Sequence, residues 1–269
     1  MVGQLLIAFL LSATIAGLAW WRGSLSSSGA MGALIIGMVT FGFGGWQWGV
    51  LLALFFVSSS LLSHYKEREK QAVAEKFDKG HRRDSGQVFA NGGLGALLAL
   101  FHAVIPSPVW LLLFVGAMAT VTADTWATEL GTLSKRPPRL ITTGKVVAVG
   151  TSGGVSAFGT AVSFAGGLLI GGTAALLTGQ WVLLLAGGLG GLFGSLFDSF
   201  LGATVQQIYV CTVCQKETEK RMHCGQATRP LRGWGWMNND LVNFLASLAG
   251  SLAALLIGNL FTALFFFVG

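Results

Sequence analysis

The sequence predicts an all-α protein, a polytopic transmembrane helical bundle, on three observations. Of its 269 residues, 53% are hydrophobic and only 10% are charged, where a soluble domain carries roughly 25% charged residues. The 17 basic and 11 acidic residues cannot coat so apolar a chain against water, whereas lipid needs no such coat. The apolar residues also fall in runs of the length that crosses ~30 Å of hydrocarbon, about 20 helical residues each.

Eight spans follow, at 3–21, 29–45, 47–64, 88–105, 109–130, 157–177, 181–204 and 241–267. The first lacks a basic n-region and a small-residue cleavage site, so it reads as a retained span and not as a removed signal peptide. The second and fourth are short and glycine-rich, and partial insertion of either would leave seven crossings. The 39 glycines follow no collagen period and sit inside the runs, where small residues let membrane helices approach closely. The whole of 1–269 reads as a single integral-membrane domain, with 205–238 as a cysteine-containing loop.

The connections alternate in character. Those after spans two, four and six are tiny and uncharged: Gly44–Gly45–Trp46, Pro106–Ser107–Pro108 and Gly179–Gln180. Every Lys and Arg lies in the loops after spans one, three, five and seven, from Arg22 through Lys66–Arg83 and Lys135–Lys145 to Lys216–Arg232. The positive-inside rule places these loops in the cytoplasm and both termini on the opposite side. The net charge of +6 is therefore explained by topology and does not call for a nucleic acid partner. Trp20, Trp21, Trp46, Trp48, Trp110 and Trp181 fit interfacial belts. His64 to Lys79 reads as a solvated helical extension, with Glu75 four residues before Lys79 and Gly80 as its stop.

Acidic residues inside apolar runs are costly and face a cavity, a partner or a path. Span five ends in Ala119-Thr-Val-Thr-Ala-Asp124-Thr-Trp-Ala-Thr-Glu129-Leu-Gly131, whose Thr120, Thr122, Asp124, Thr125, Thr128 and Glu129 cover about half the helix. Asp124 and Glu129 are ~140° apart, so they suit opposite sides of a metal–phosphate cluster better than a face-to-face dyad. A hydrogen-bonded structural pair is the alternative. On span seven, Gly187, Gly191, Ser195, Asp198 and Gly202 recur in steps of three or four; close packing explains the glycines but not Asp198. Span eight opens on Asn238-Asn239-Asp240-Leu-Val-Asn243, where Asn239 or Asp240 suits a helix cap and Asn239 with Asn243 suits a phosphate, a ribose or a lock on Asp198.

Arg82 and Arg83, with Asn91, stand at the entrance to span four as candidate phosphate ligands, although topology alone accounts for either arginine. Lys145 and the segment Gly150-Thr151-Ser152-Gly153-Gly154-Val155-Ser156 add a cation and a glycine-rich backbone able to face anions, without the order of a P-loop. Cys211-Thr-Val-Cys214 with His223 and Cys224 reads as a structural zinc site, as reduced thiols, or as a redox centre. Carboxylates for Mg²⁺, cations for phosphate and an apolar interior beside them favour phosphoryl chemistry on a lipid alcohol or lipid monophosphate. A transporter using intramembrane carboxylates is the alternative, disfavoured by the featureless loops on the far side.

The motifs Asp124–Gly131, Gly150–Ser156, Asp198–Gln206 and Asn238–Asp240 resemble the integral-membrane family that includes chloroplast phytyl-phosphate kinase, over nearly the whole chain. The resemblance implies conversion of phytyl or a related prenyl monophosphate to the diphosphate, in phytol salvage and tocopherol biosynthesis. It implies a nucleoside triphosphate donor, with CTP favoured over ATP, and a cytoplasmic or thylakoid membrane of a prokaryotic phototroph. Under it, Asp124, Glu129 and Asp198 hold Mg²⁺, Arg82, Arg83 and Lys145 contact phosphates, and Asn91 and Asn239 orient oxygens. Thr151, Ser152, Gly153, Gly154 and Asp240 complete the expected donor site, and the isoprenoid lipid and bilayer are the expected partners.

Overall fold

A computed structural model describes residues 2–65 and 82–268. Among them are eight helices long and apolar enough to cross a membrane: α1 (Val2–Trp21), α2 (Ser27–Gly44), α3 (Trp46–His64), α4 (Ser85–Val104), α5 (Pro108–Gly131), α6 (Ala157–Thr178), α7 (Val182–Thr204) and α8 (Asn239–Val268). All eight predicted spans are present, including the two glycine-rich ones. The predicted extension beyond Tyr65, with Glu75 and Lys79, lies outside the described residues.

Helix ends follow from local chemistry. Ser26, Ser107 and Ser156 cap α2, α5 and α6 through side-chain oxygens that accept a first-turn N–H. Asp84 and Gln87 cap α4 reciprocally: the Gln87 N–H donates to Asp84 Oδ1 at 3.0 Å and the Asp84 N–H donates to Gln87 Oε1 at 3.2 Å. The cap of α8 is Asn238, whose Oδ1 accepts the Leu241 N–H at 3.0 Å, so neither Asn239 nor Asp240 is needed for that task.

α5 is the central helix, buried without interruption from Phe114 to Ala123. It packs with α6, α7 and α8 into the dense half of the bundle, while α2 packs on α1 and α4 to form the other half, with α3 against α5. The small residues of α7 permit these approaches: a Cβ on Gly187 would stand 2.5 Å from Gly171 Cα, and one on Gly191 would stand 2.9 Å from the Ala119 carbonyl oxygen. Trp48 is buried, not interfacial, because its ring stacks on Phe114 at 4.3 Å and on His102 at 5.4 Å. Leu6, Leu10, Ile35, Leu97, Leu176 and Leu256 are exposed, as lipid-facing side chains must be.

The ends of α1, α3, α5 and α7 and the starts of the helices that follow them share one face, the basic face. There the N–H of Ser26 donates to the Arg83 carbonyl and the N–H of Arg83 to the Ser24 carbonyl, both at 3.0 Å, joining the α1–α2 loop to the entrance of α4. A two-stranded antiparallel pair, β1 (Arg139–Leu140) with β2 (Gly154–Val155), shapes the α5–α6 connection. The α7–α8 connection carries a small sheet in which β3 (Ile208–Val210) lies between β4 (Glu217–Thr218) and β7 (Arg229–Arg232). Next to it is the hairpin β5 (Met222–His223) and β6 (Gln226–Ala227).

Candidate active site at the basic face

A cavity of ≈ 890 Å³ opens on the basic face between α3, α4, α5, α6, α7 and α8 and under the α7–α8 connection. The last turns of α5 turn Asp124, Thr125, Thr128 and Glu129 toward it. Thr120 and Thr122, on the same predicted polar arc, lie deeper, where they are fully buried and donate to the Gly116 and Met118 carbonyls one turn back at 2.8 Å and 2.7 Å. They serve packing, because the arc fixes direction around the axis but not depth along it.

Glu129 Oε1 accepts from Ser63 Oγ of α3 at 2.7 Å. Asp124 Oδ1 accepts from Ser195 Oγ of α7 at 3.5 Å, and Asp198 sits one turn further along α7. Asp198 is near enough to Asp124 and Glu219 for their charges to interact. Its Oδ2 is buried without a hydrogen-bond partner. An orphaned carboxylate oxygen beside two further carboxylates suits a divalent cation with oxygen ligands, and Mg²⁺ fits this donor set.

Glu219 is a cavity residue the sequence reading missed. It stands between the cysteines in a run of charges, Lys216-Glu-Thr-Glu219-Lys-Arg221, that looks like ordinary loop solvation. Gln206, which the sequence offers only as the end of the Asp198–Gln206 motif and without a role, is buried, donates from Nε2 to Glu219 Oε1 at 2.8 Å, and reaches Asn239 Oδ1 at 3.4 Å. Its position directly after the apolar run of span seven was the available signal.

Arg83 lines the cavity; its Nη1 donates to Ser60 Oγ at 3.3 Å and its guanidinium lies 5.9 Å from the centre of the Phe56 ring. Burial lowers its pKa below the usual arginine value, and the charge of Glu129 opposes that shift. Arg82 is exposed, donates toward the Leu25 carbonyl at 3.4 Å and does not line the cavity. Lys145 also stays outside, exposed just after the turn that follows β1. The neighbouring arginines take different partners at this helix entrance, and Lys145 lies in the loop after β1, where its carbonyl accepts the Leu140 N–H at 2.8 Å.

Thr151, Ser152, Gly153 and Gly154 line the cavity together with Asn91, Asn239, Asp240 and Asn243. Two of the expected anion-facing N–H groups are used within the loop, since Thr151 donates to the Ala148 carbonyl at 3.1 Å and Gly154 to the Thr151 carbonyl at 2.9 Å. Ser152 Oγ donates to Gln206 Oε1 at 2.6 Å, and Arg232 fastens the same corner by donating to the carbonyls of Gly202 at 2.6 Å and Ser152 at 3.2 Å. Gly153 has φ +83, and a Cβ there would meet Ala203 at 2.5 Å, so glycine is required by conformation and by space.

The α7–α8 connection brings Cys211, Cys214, His223 and Cys224 together with their ligand atoms within 4.8 Å of one another. The N–H groups of Val213 and Cys214 donate to Cys211 Sγ at 3.4 Å and 3.5 Å. Donation from Cys214 is the first cause that draws the Cys211 thiol down to about 6. Adjacent His223 and Cys224 converge because Cys224 and Gly225 both have positive φ, 50 and 74, at the tip of the β5–β6 hairpin, leaving His223 Nδ1 3.2 Å from Cys224 Sγ and 3.5 Å from Cys214 Sγ. Three soft sulfurs and an imidazole fit the closed tetrahedral set of structural zinc.

A sequence profile described as "Integral membrane protein DUF92" matches residues 10–251. Protein PGR of Arabidopsis thaliana is 32% identical, covering 92% of this chain and 94% of its own length. An uncharacterized membrane protein of Methanocaldococcus jannaschii is 32% identical over 87% of this chain and 85% of its own. Protein VTE6, chloroplastic, of Arabidopsis thaliana is 29% identical over 86% of this chain and 65% of its own. No solved structure matches the chain significantly.

Proposed function

The chain belongs to the DUF92 family of integral membrane proteins, and on that premise we propose that it is a phosphotransferase that moves the γ-phosphoryl group of a nucleoside triphosphate, CTP in preference to ATP, to a membrane-embedded phytyl or related prenyl monophosphate. The observation that carries this reading is the convergence of Asp124, Glu129, Asp198 and Glu219 with Arg83 in one cavity at the basic face. In this reading that face is cytoplasmic, in a cytoplasmic or thylakoid membrane. Residues 1–269 act as one integral-membrane domain whose 205–238 loop roofs the site.

A non-bridging oxygen of the acceptor monophosphate attacks the γ-phosphorus; the bond to the β,γ-bridging oxygen breaks, and the nucleoside diphosphate leaves with that electron pair. The acceptor is already an anion, so alignment and charge neutralisation matter more than a strong general base. Asp124, Glu129 and Asp198 would hold Mg²⁺, which when bound neutralises the donor phosphates. Arg83 and Asn91 bind the acceptor phosphate on the α4 side. Asn239 and Asp240, with the Thr151–Gly154 loop, face the donor on the α6–α8 side. The Cys211, Cys214, His223 and Cys224 set holds structural zinc and keeps the roof in place.

The deciding experiment incubates the purified protein in lipid nanodiscs with Mg²⁺ and labelled CTP or ATP, offering phytol, phytyl phosphate and geranylgeranyl phosphate separately. Transfer to the monophosphates is expected. Transfer to phytol would make the protein an alcohol kinase. No transfer, together with solute flux in liposomes that requires Asp124 or Asp198, would make it a transporter.

A further inference from the structure

A second, apolar slot of ≈ 70 Å³ lies between α1, α2, α3 and α4. Its walls include Ile15 and Ala16 of α1, Ala33 and Ile36 of α2, and Ala53 and Phe56 of α3. It shares Arg83, Gln87 and Asn91 with the large cavity, so a guanidinium and two amides stand where the polar space meets the apolar one. From Ala33 to Phe41 the slot follows α2 over eight helical rises, roughly 12 Å at 1.5 Å per residue. The junction therefore matches a molecule with a small anionic head and a single apolar chain.

We infer that the phosphate of a single-chain isoprenoid monophosphate docks at Arg83, Gln87 and Asn91 while its first isoprene units lie in the slot between α1, α2, α3 and α4. This deepens the acceptor side of the phosphotransferase reading and rests on it for the choice of head group. The slot is too narrow to be a preformed tunnel, so the chain enters by parting helices. α1 is the wall that yields: it packs chiefly on α2, and only 22% of its span is buried, against 56% for α5. The distal chain then leaves past α1 into lipid.

Two measurements test the inference in the full-length protein in nanodiscs. Geranyl monophosphate bearing a terminal diazirine should, on irradiation, label peptides of α2 and α3 around Ala33–Phe41 and Gly49–Phe56, and unlabelled geranylgeranyl monophosphate should suppress the label. Labelling confined to α5–α8, or unsuppressed labelling of exposed residues such as Leu6 and Leu10, overturns it. Ala53→Phe, and separately Ala33→Phe, should raise KM for geranylgeranyl monophosphate about tenfold or more, with dimethylallyl monophosphate hardly affected. An equal effect on both acceptors, or none on the long one, also overturns it. The two readings separate cleanly: suppressible slot labelling without any phosphoryl transfer fails the kinase and keeps the slot, whereas transfer without slot labelling does the reverse.

Discussion

Gln206 donates to Glu219 at 2.8 Å, and this contact ties the cysteine-bearing roof to the carboxylate wall of the cavity. Because the other end of the Gln206 amide accepts from Ser152 at 2.6 Å, one buried side chain holds the roof, the α7 terminus and the glycine-rich loop in register. The Cys211, Cys214, His223 and Cys224 cluster, a few residues from Glu219 along the chain, thus bears on the cavity through position alone.

Replacing one ligand, Cys214→Ser, should remove the single zinc equivalent expected by elemental analysis of the purified protein and lower phosphoryl transfer about tenfold or more, the range seen when the support of a site is lost. Glu219→Gln should lower transfer with the zinc retained. Retention of zinc in C214S would exclude Cys214 as a ligand.

Neutralising the inner carboxylates should act on chemistry. Asp198→Asn and Asp124→Asn are each expected to reduce turnover by roughly 10²-fold or more while membrane insertion and elution on gel filtration stay unchanged. Near-normal turnover in both would remove them from the reaction.

The two arginines at the α4 entrance should separate. Arg83→Lys loses a planar fork in contact with Ser60 and Phe56 and should raise KM for the acceptor about tenfold, whereas Arg82→Lys should leave it within about twofold. Steady-state kinetics at saturating donor distinguishes them.

Gly153→Ala forces a side chain into a left-handed backbone conformation against Ala203. A loss of at least about 1–2 kcal/mol is expected, read as a lower thermal midpoint of the detergent-solubilised protein.

Sidedness gives a further test. Trypsin added from the side of the Pro106–Ser107–Pro108 turn should leave the chain intact, because every Lys and Arg lies in the other set of loops. Added to the opposite side, it should cut at exposed positions such as Lys145. Cleavage from the first side would refute the eight-span topology.

The helices were legible because hydrocarbon sets one length scale and the basic residues mark alternate loops. Asp124, Glu129 and Asp198 stood out because a carboxylate within an apolar run is chemically conspicuous. Glu219 did not, since it lies among other loop charges, and only the fold brings it back over the membrane mouth. Thr120 and Thr122 share an arc with Asp124, but their depth depends on how α7 and α8 pack against α5. Arg82 and Arg83 are indistinguishable as letters; the hydrogen-bonded joint with Ser24 and Ser26 decides which of them turns inward. The Asp84–Gln87 capping box was readable at its three-residue spacing and was passed over because its residues border the basic run.

The far-side turns at Gly45, Ile105–Ser107 and Gly179–Trp181 have a consequence for how the chain is made. Between α1 and α8 these turns carry no Lys, Arg, Asp or Glu, so α2–α3, α4–α5 and α6–α7 can each enter the bilayer as a closed hairpin without drawing a charged stretch across it.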